Sequence, residues 1–139
     1  MTTIDEALEG STPLAEKVRA GGPYRSTAEV VARMRAVLPS LTEAERVATL
    51  NAHPRIGENK SRLSSRSLEE QGVDQLPELA RLNAEYERRF GFRFVVFVNK
   101  RPKAAIVEVL RTRLRRSRDD EMDEGLQAIV DIAADRLSR

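Results

Sequence analysis

Only one segment of this 139-residue chain is built like a β-strand, and it has no partner strand. Residues 92–98 have the sequence FRFVVFV and hold three of the four phenylalanines. Aromatic and β-branched residues in such a run are typical of a buried strand. A strand must pair its backbone N–H and C=O groups, and no second segment has this composition. We therefore predict an all-α fold in which a short extended segment, near residues 93–98, is buried between helices.

Helix start signals and apolar stripes fill most of the remaining sequence. Residues 26–29 and 42–45 match the capping box, in which a hydroxyl and a carboxylate three residues apart satisfy free backbone amides. Apolar residues then recur at three-to-four spacing, which indicates amphipathic helices. Gly91 is well placed to end one of these helices. Three further helices are predicted over residues 77–90, 102–114 and 119–137. The pattern predicts a compact bundle of roughly six to eight helices.

The composition limits the chemistry that is open to this chain. Hydrophobic residues make up 40% and charged residues 33%, as in a soluble globular domain, and we expect a single domain over residues 1–139. No apolar run approaches the ~20 residues that span a bilayer. The absence of cysteine excludes disulfides, thiolate nucleophiles and cysteine metal sites, and no metal site is expected. Neither terminus carries a targeting signal, so we expect a cytoplasmic protein.

The single histidine, His53, is the leading candidate for proton transfer near neutral pH. Its ordinary pKa, ~6.5, lies in that range. Pro54 disfavours helical backbone at His53, and Gly57 gives a second break. The imidazole is therefore expected where a helix ends and a loop begins. A purely structural histidine is an equal alternative on this evidence.

Three segments, in this order and spacing, resemble the OHCU decarboxylases. They are residues 51–58 (NAHPRIGE), 67–73 (SLEEQGV) and 82–96 (LNAEYERRFGFRFVV). Those enzymes act on 2-oxo-4-hydroxy-4-carboxy-5-ureidoimidazoline (OHCU), the last intermediate between urate and (S)-allantoin. The family is all-helical and needs no cofactor, and its members are often dimers. The resemblance therefore implies a cofactor-free decarboxylase for a small-molecule substrate, OHCU, and a homodimer.

The resemblance also assigns roles to individual residues. His53 matches the catalytic histidine of the family's HPxxG motif, and Glu70 matches the essential carboxylate of its SxxEQ motif. Substrate contacts are implied for residues beside these motifs, in the extended segment and in the last helix: Pro54, Ser67, Gln71, Phe94, Val95, Val96, Phe97, Val98 and Arg136.

Two features leave the substrate and some roles open. Family members often carry tryptophan, which this chain lacks, and Phe97 together with Lys100 and Arg101 replaces a stretch of small residues. A related ureido or ring-carboxylate substrate is therefore an alternative. Ser67 and Glu70 would also form a capping box without any catalytic role.

A non-catalytic helical binding module is the competing interpretation. Residues 111–118 (RTRLRRSR) form a basic run that could contact phosphates of a nucleic acid. Acidic residues follow at once, at 119–121 and 123–124, which favours a solvated surface with ion pairs. Arg136, near the end of a helix, is also explained by the helix dipole alone. We expect neither a nucleic acid nor a membrane as partner.

Overall fold

The computed structural model describes residues 2–56 and 76–139, and these two ranges contain helices and no strand. The helices are α1 (Ile4–Ala7), α2 (Pro13–Ala20), α3 (Thr27–Val37), α4 (Glu43–Asn51), α5 (Leu76–Phe90), α6 (Lys103–Arg113) and α7 (Arg118–Leu137), with a 3-10 turn at Leu38–Ser40. The predicted all-α class is confirmed. None of the described helices is long and apolar enough to cross a lipid bilayer.

Side-chain caps fix where the central helices begin. The hydroxyl of Thr42 accepts a hydrogen bond from the N–H of Glu45, whose carboxylate accepts one from the N–H of Thr42. The capping box predicted for α4 is confirmed. At the start of α3, Ser26 accepts a hydrogen bond from the N–H of Glu29, but the Glu29 carboxylate makes no return bond, so the capping box predicted for residues 26–29 is only half formed. The helix that leads to His53 therefore has a well-defined first turn.

We expect Thr42→Ala to lower the free energy of unfolding by about 1 kcal/mol, because the N–H of Glu45 loses its side-chain acceptor. Urea unfolding followed by circular dichroism measures the change. Thr27→Ala is the matched control, since Thr27 is an exposed first helical residue and not the cap of α3. An equal loss of unfolding free energy in both variants would show that the Thr42 cap does not stabilise the protein more than an ordinary helical threonine.

Helix α7 is the central element of the bundle. It packs against α1, α3 and α4, while α2 packs against α1, α3 and α4, and α5 packs against α6. A Cβ at Gly125 would lie 2.8 Å from Cδ2 of Leu50, so the glycine permits the close approach of α4 and α7. The buried apolar residues of α7 follow the predicted stripe: Met122, Leu126, Ile129, Val130 and Ala133.

The extended segment lies between α5 and α6. Gly91, with φ of +84°, follows the last residue of α5 and takes the capping position expected from the sequence. Phe94 and Val95 are buried, as predicted. Residues 96–98 are only half-buried, which corrects the prediction for this half of the segment. The reason is that these residues line a cleft instead of the core.

A buried ion pair holds the extended segment in place. Nε of Arg113 donates a hydrogen bond to Oε1 of Glu121 at 2.7 Å, and Nη1 donates to the carbonyl of Val95 at 2.8 Å. The Arg113 and Glu121 side chains are only 4% and 0% exposed. The Arg113 guanidinium also lies over the ring of Phe94, 4.7 Å from its centre. The segment is therefore fixed through both its backbone and its side chains.

Tyr86 completes this buried network. Its hydroxyl donates to Oε1 of Glu121 at 2.7 Å, and its ring lies 5.3 Å from that of Phe94. Burial, and then the hydrogen bond to Glu121, raise the pKa of Tyr86 far above its ordinary value. The hydroxyl therefore keeps its proton and acts as a donor to the carboxylate.

The basic segment 111–118 is largely paired with carboxylates. The ion pairs are Arg111–Glu78, Arg113–Glu121, Arg116–Glu124 and Arg118–Glu43. This arrangement agrees with the ion-paired surface suggested by the sequence at Arg111, Arg116 and Arg118. It differs at Arg113 and Glu121, which lie in the core because the end of α6 meets the start of α7 beside the extended segment.

Candidate active site

His53 lies directly after the last turn of α4. Ala52 is the C-terminal cap of the helix, and the N–H of His53 donates to the carbonyl of Leu50 at 3.2 Å. The side chain of His53 is 16% exposed. The predicted position at a helix-to-loop exit is confirmed. An imidazole in this position is partly desolvated and can still reach a bound molecule.

Three contacts fix the loop that carries His53. The N–H of Arg93 donates to Oδ1 of Asn51 at 2.9 Å, and Nη1 of Arg93 donates to the carbonyl of His53 at 3.0 Å. Arg55 forms a bidentate pair with Glu87 of α5, with distances of 2.7 and 3.0 Å. The loop is therefore tied to the extended segment and to α5.

A cleft of about 660 Å³ opens beside the imidazole. Five of the candidate residues line it: His53, Val96, Phe97, Val98 and Arg136. The other lining residues are Asn99, Lys100, Ile132, Asp135 and Arg139. The fold therefore brings the end of α4, the second half of the extended segment and the last turn of α7 to one place.

The remaining candidates fall into two groups. Phe94 and Val95 are buried in the core, and Pro54 is half-buried beside His53; none of the three lines this cleft. Ser67, Glu70 and Gln71 lie outside the described residues, as does Gly57. The roles assigned to them from the sequence stay predictions.

Where it lines the cleft, the extended segment has backbone N–H groups that are unpaired within residues 2–56 and 76–139. Within the described parts of the chain, the N–H groups of Val96, Phe97 and Val98 have no hydrogen-bond partner. The side chain of Arg101 instead binds two carbonyls, that of Phe97 at 2.5 Å and that of Val98 at 3.1 Å. The sequence indicated that the backbone groups of this segment need partners from outside a sheet, because no second strand accompanies it. Unpaired N–H groups of this kind can bind carbonyl oxygens or an anion.

The carboxylate of Glu9 lies between two residues that line the cleft, His53 and Arg136. Oε1 of Glu9 lies 3.7 Å from Nδ1 of His53 and 2.6 Å from Nη1 of Arg136. The same Nη1 also donates to the carbonyl of Ala7 at 3.2 Å. Within the described residues Nε and Nη2 of Arg136 have no hydrogen-bond partner, so they can bind an anionic group.

The surroundings of His53 favour its neutral form. Burial lowers the pKa of the imidazole below its ordinary value, and the nearby charges of Arg136 and Arg93 lower it further. The carboxylate of Glu9 opposes these effects. The imidazole is therefore largely neutral at pH 7 and can accept a proton.

Glu9 is the residue of this site that the sequence did not single out. It lies in the connection between α1 and α2, where a glutamate before a glycine is typical of a solvated turn. Its contact with His53 depends on the packing of both α1 and α4 against α7, which no local pattern encodes.

The comparisons with known proteins agree with the resemblance. The sequence model of the OHCU decarboxylase family matches residues 1–138. The chain is 30% identical to a 2-oxo-4-hydroxy-4-carboxy-5-ureidoimidazoline decarboxylase of Haloferax volcanii, over 96% of this chain and 83% of that protein. It is also 30% identical to the uric acid degradation bifunctional protein PucL of Bacillus subtilis, over 98% of this chain. The chain spans only 29% of that longer relative.

Solved structures show the same fold. A crystal structure of an OHCU decarboxylase in the presence of (S)-allantoin superposes with a TM-score of 0.78 and 23% identity, over 92% of this chain and 89% of the other. A crystal structure of an (S)-allantoin synthase gives a TM-score of 0.70 and 22% identity, over 97% of this chain and 47% of the other. With the family model matched along almost the whole sequence, this chain belongs to the OHCU decarboxylase family.

Proposed function

We propose that this protein is a cofactor-independent decarboxylase that converts OHCU to (S)-allantoin in urate degradation. The observation that carries the proposal is the placement of the only histidine, with a lowered pKa, in a cleft beside Arg136 and beside backbone N–H groups that have no partner among the described residues. Family membership supplies the substrate class. The cleft, at about 660 Å³, has room for a small ring with a ureido substituent.

The substrate can supply its own electron sink. The ring carbon that loses CO2 bears a hydroxyl and a carboxylate and lies next to a C=N bond. When the bond to the carboxylate breaks, its electron pair forms a carbon–carbon double bond and the C=N pair moves onto nitrogen, which takes up a proton. The hydroxyl then loses its proton as a carbonyl forms, and the former C=N carbon gains a proton on one face. The net change is loss of CO2 and uptake of one proton.

His53 is proposed to transfer these protons. A neutral imidazole can take the hydroxyl proton and, once protonated, return a proton to the ring carbon from one side. Delivery from one side would set the (S) configuration. The N–H groups of residues 96–98 are proposed to stabilise negative charge on the ring and ureido oxygens, and Arg136 to bind the substrate carboxylate.

Glu70, Ser67 and Gln71 complete the proposal by resemblance alone. Glu70 is proposed to fix the hydroxyl of the substrate, and Ser67 and Gln71 to contact it. Pro54, Phe94 and Val95 are proposed to support the pocket.

The test is turnover of freshly generated OHCU. The substrate is made from urate by urate oxidase and hydroxyisourate hydrolase, and circular dichroism follows (S)-allantoin after this protein is added. We expect a rapid optical signal whose initial rate is proportional to the protein concentration. Slow formation of racemic product, unchanged by the protein, would contradict the proposal. Because Phe97 and Lys100 line the cleft, a related ring carboxylate would then be the next substrate to test.

The oligomeric state, the location and the lack of a nucleic-acid partner also stay proposals. We propose a homodimer, a cytoplasmic location and no nucleic-acid partner. Sedimentation of the purified chain tests the first. Absence of DNA or RNA binding at low salt, where contacts with phosphates are strongest, tests the last.

A further inference from the structure

Glu9 connects two groups of the cleft that come from distant parts of the sequence. Its carboxylate lies 3.7 Å from the imidazole Nδ1 of His53, at the end of α4, and 2.6 Å from Arg136, in the last turn of α7. The side chains of all three residues are at least two-thirds buried. The carboxylate is therefore partly protected from water, which strengthens its interaction with both partners.

The backbone of Glu9 is held in an unusual conformation. Its φ is +64°, in the left-handed region that glutamate rarely adopts. The end of α1 keeps it there, since the N–H of Gly10 donates to the carbonyl of Asp5 at 2.7 Å. Backbone in this region persists where surrounding contacts fix it, and such positions are frequent at functional sites.

We propose that Glu9 is a positioning residue for His53. Its carboxylate selects the tautomer with the proton on Nδ1, so that the lone pair on Nε2 is free to accept a proton from the substrate. After proton transfer, the same carboxylate pairs with the imidazolium. This inference rests on the proposed function, in which His53 transfers protons.

The other charges around His53 do not provide this effect. Arg136 and Arg93 are both cationic and disfavour the imidazolium. Lys100 and Arg139 also line the cleft, and so does the carboxylate of Asp135. In residues 2–56 and 76–139, Glu9 is the only carboxylate within ion-pair distance of the imidazole.

The single histidine allows a direct test that does not depend on activity. The NMR signal of the imidazole Cε1–H reports the titration of His53 without any other histidine in the spectrum. Because Glu9 favours the charged form, Glu9→Gln is expected to lower the titration midpoint below that of the unsubstituted protein. Glu16→Gln is the matched control, because it removes the same charge from an exposed position on α2 and should leave the midpoint unchanged.

The kinetic signature separates positioning from simple stabilisation. If neutral His53 is the base, activity rises with pH through its titration, so Glu9→Gln should move this acid limb to lower pH. On the pH-independent plateau above this limb, kcat should fall roughly 10- to 100-fold while KM changes little. The same range is typical where a carboxylate that orients a metal-bound histidine is removed. Glu9→Asp keeps the carboxylate, and aspartate tolerates positive φ better, so it should restore part of kcat.

The outcomes distinguish this inference from the proposed function. An unchanged midpoint and an unchanged acid limb in Glu9→Gln would overturn the role of Glu9, even if the protein converts OHCU. Normal turnover by a folded His53→Gln protein would instead overturn the proposed role of His53, whatever the titration shows. A lowered midpoint with a reduced plateau in Glu9→Gln, absent from Glu16→Gln, supports the inference.

Discussion

Replacement of His53 by glutamine is expected to reduce kcat for OHCU decarboxylation by about 10²–10⁴-fold, the usual contribution of a general acid–base. Glutamine has a similar size and can donate and accept hydrogen bonds, but it does not titrate near neutral pH. The loop contacts that Arg93 and Asn51 make are to backbone groups, so they do not depend on the imidazole. The variant should therefore fold and bind substrate.

Initial rates from circular dichroism measure this effect, with the spontaneous decay of OHCU as the baseline. Glu16→Gln should turn over at the unsubstituted rate, because its exposed side chain is on α2, away from the cleft. Added imidazole should partly restore His53→Ala, because the small base can occupy the space of the missing side chain. A His53→Gln protein that produces (S)-allantoin at a normal rate would contradict the proposed mechanism.

The fold was largely predictable because its signals are local. The capping hydroxyls and the apolar stripe of α7 lie within single helices, and the structure confirms them. The extended segment could be recognised because its composition fits no helix and no second strand accompanies it. Its second half was expected to be buried and is half-buried instead, because the opening of a cleft depends on how α4 and α7 pack around it.

The site was predictable only in part. His53 stands out because it is the only histidine and is followed by proline. Glu9 does not stand out, because its role depends on tertiary packing and on a left-handed backbone conformation. The sequence also placed Arg113 and Glu121 among solvated charges, which is wrong for these two residues. A run of charged residues predicts a solvated surface. Which of its residues instead faces the core depends on the angle at which two helices meet, and the local sequence does not encode that angle.

That buried pair gives the second large expected effect. Arg113→Met should lower the free energy of unfolding by about 3 kcal/mol or more, because a buried carboxylate loses its main partner. In the unsubstituted protein Tyr86 and Arg116 also contact Glu121, at 2.7 and 3.1 Å. These partners remain after the change, which places the expected loss at the lower end of the range for broken buried pairs. Urea unfolding measures the loss. Arg115→Met is the matched control, since Arg115 is exposed on the same basic segment and should change stability by less than about 0.5 kcal/mol.

The double variant Arg113→Met, Glu121→Met separates the cost of an unpaired charge from the loss of packing. When both charges are removed, no buried charge is left without a partner, so the double variant should be more stable than Arg113→Met alone. It would still lack the hydrogen bond from Arg113 to the carbonyl of Val95, which leaves the extended segment less firmly held. We therefore expect stability to recover in the double variant, whereas KM for OHCU should be raised in both variants because the N–H groups of residues 96–98 are no longer fixed. A double variant less stable than either single variant would show that the ion pair does not act as one unit.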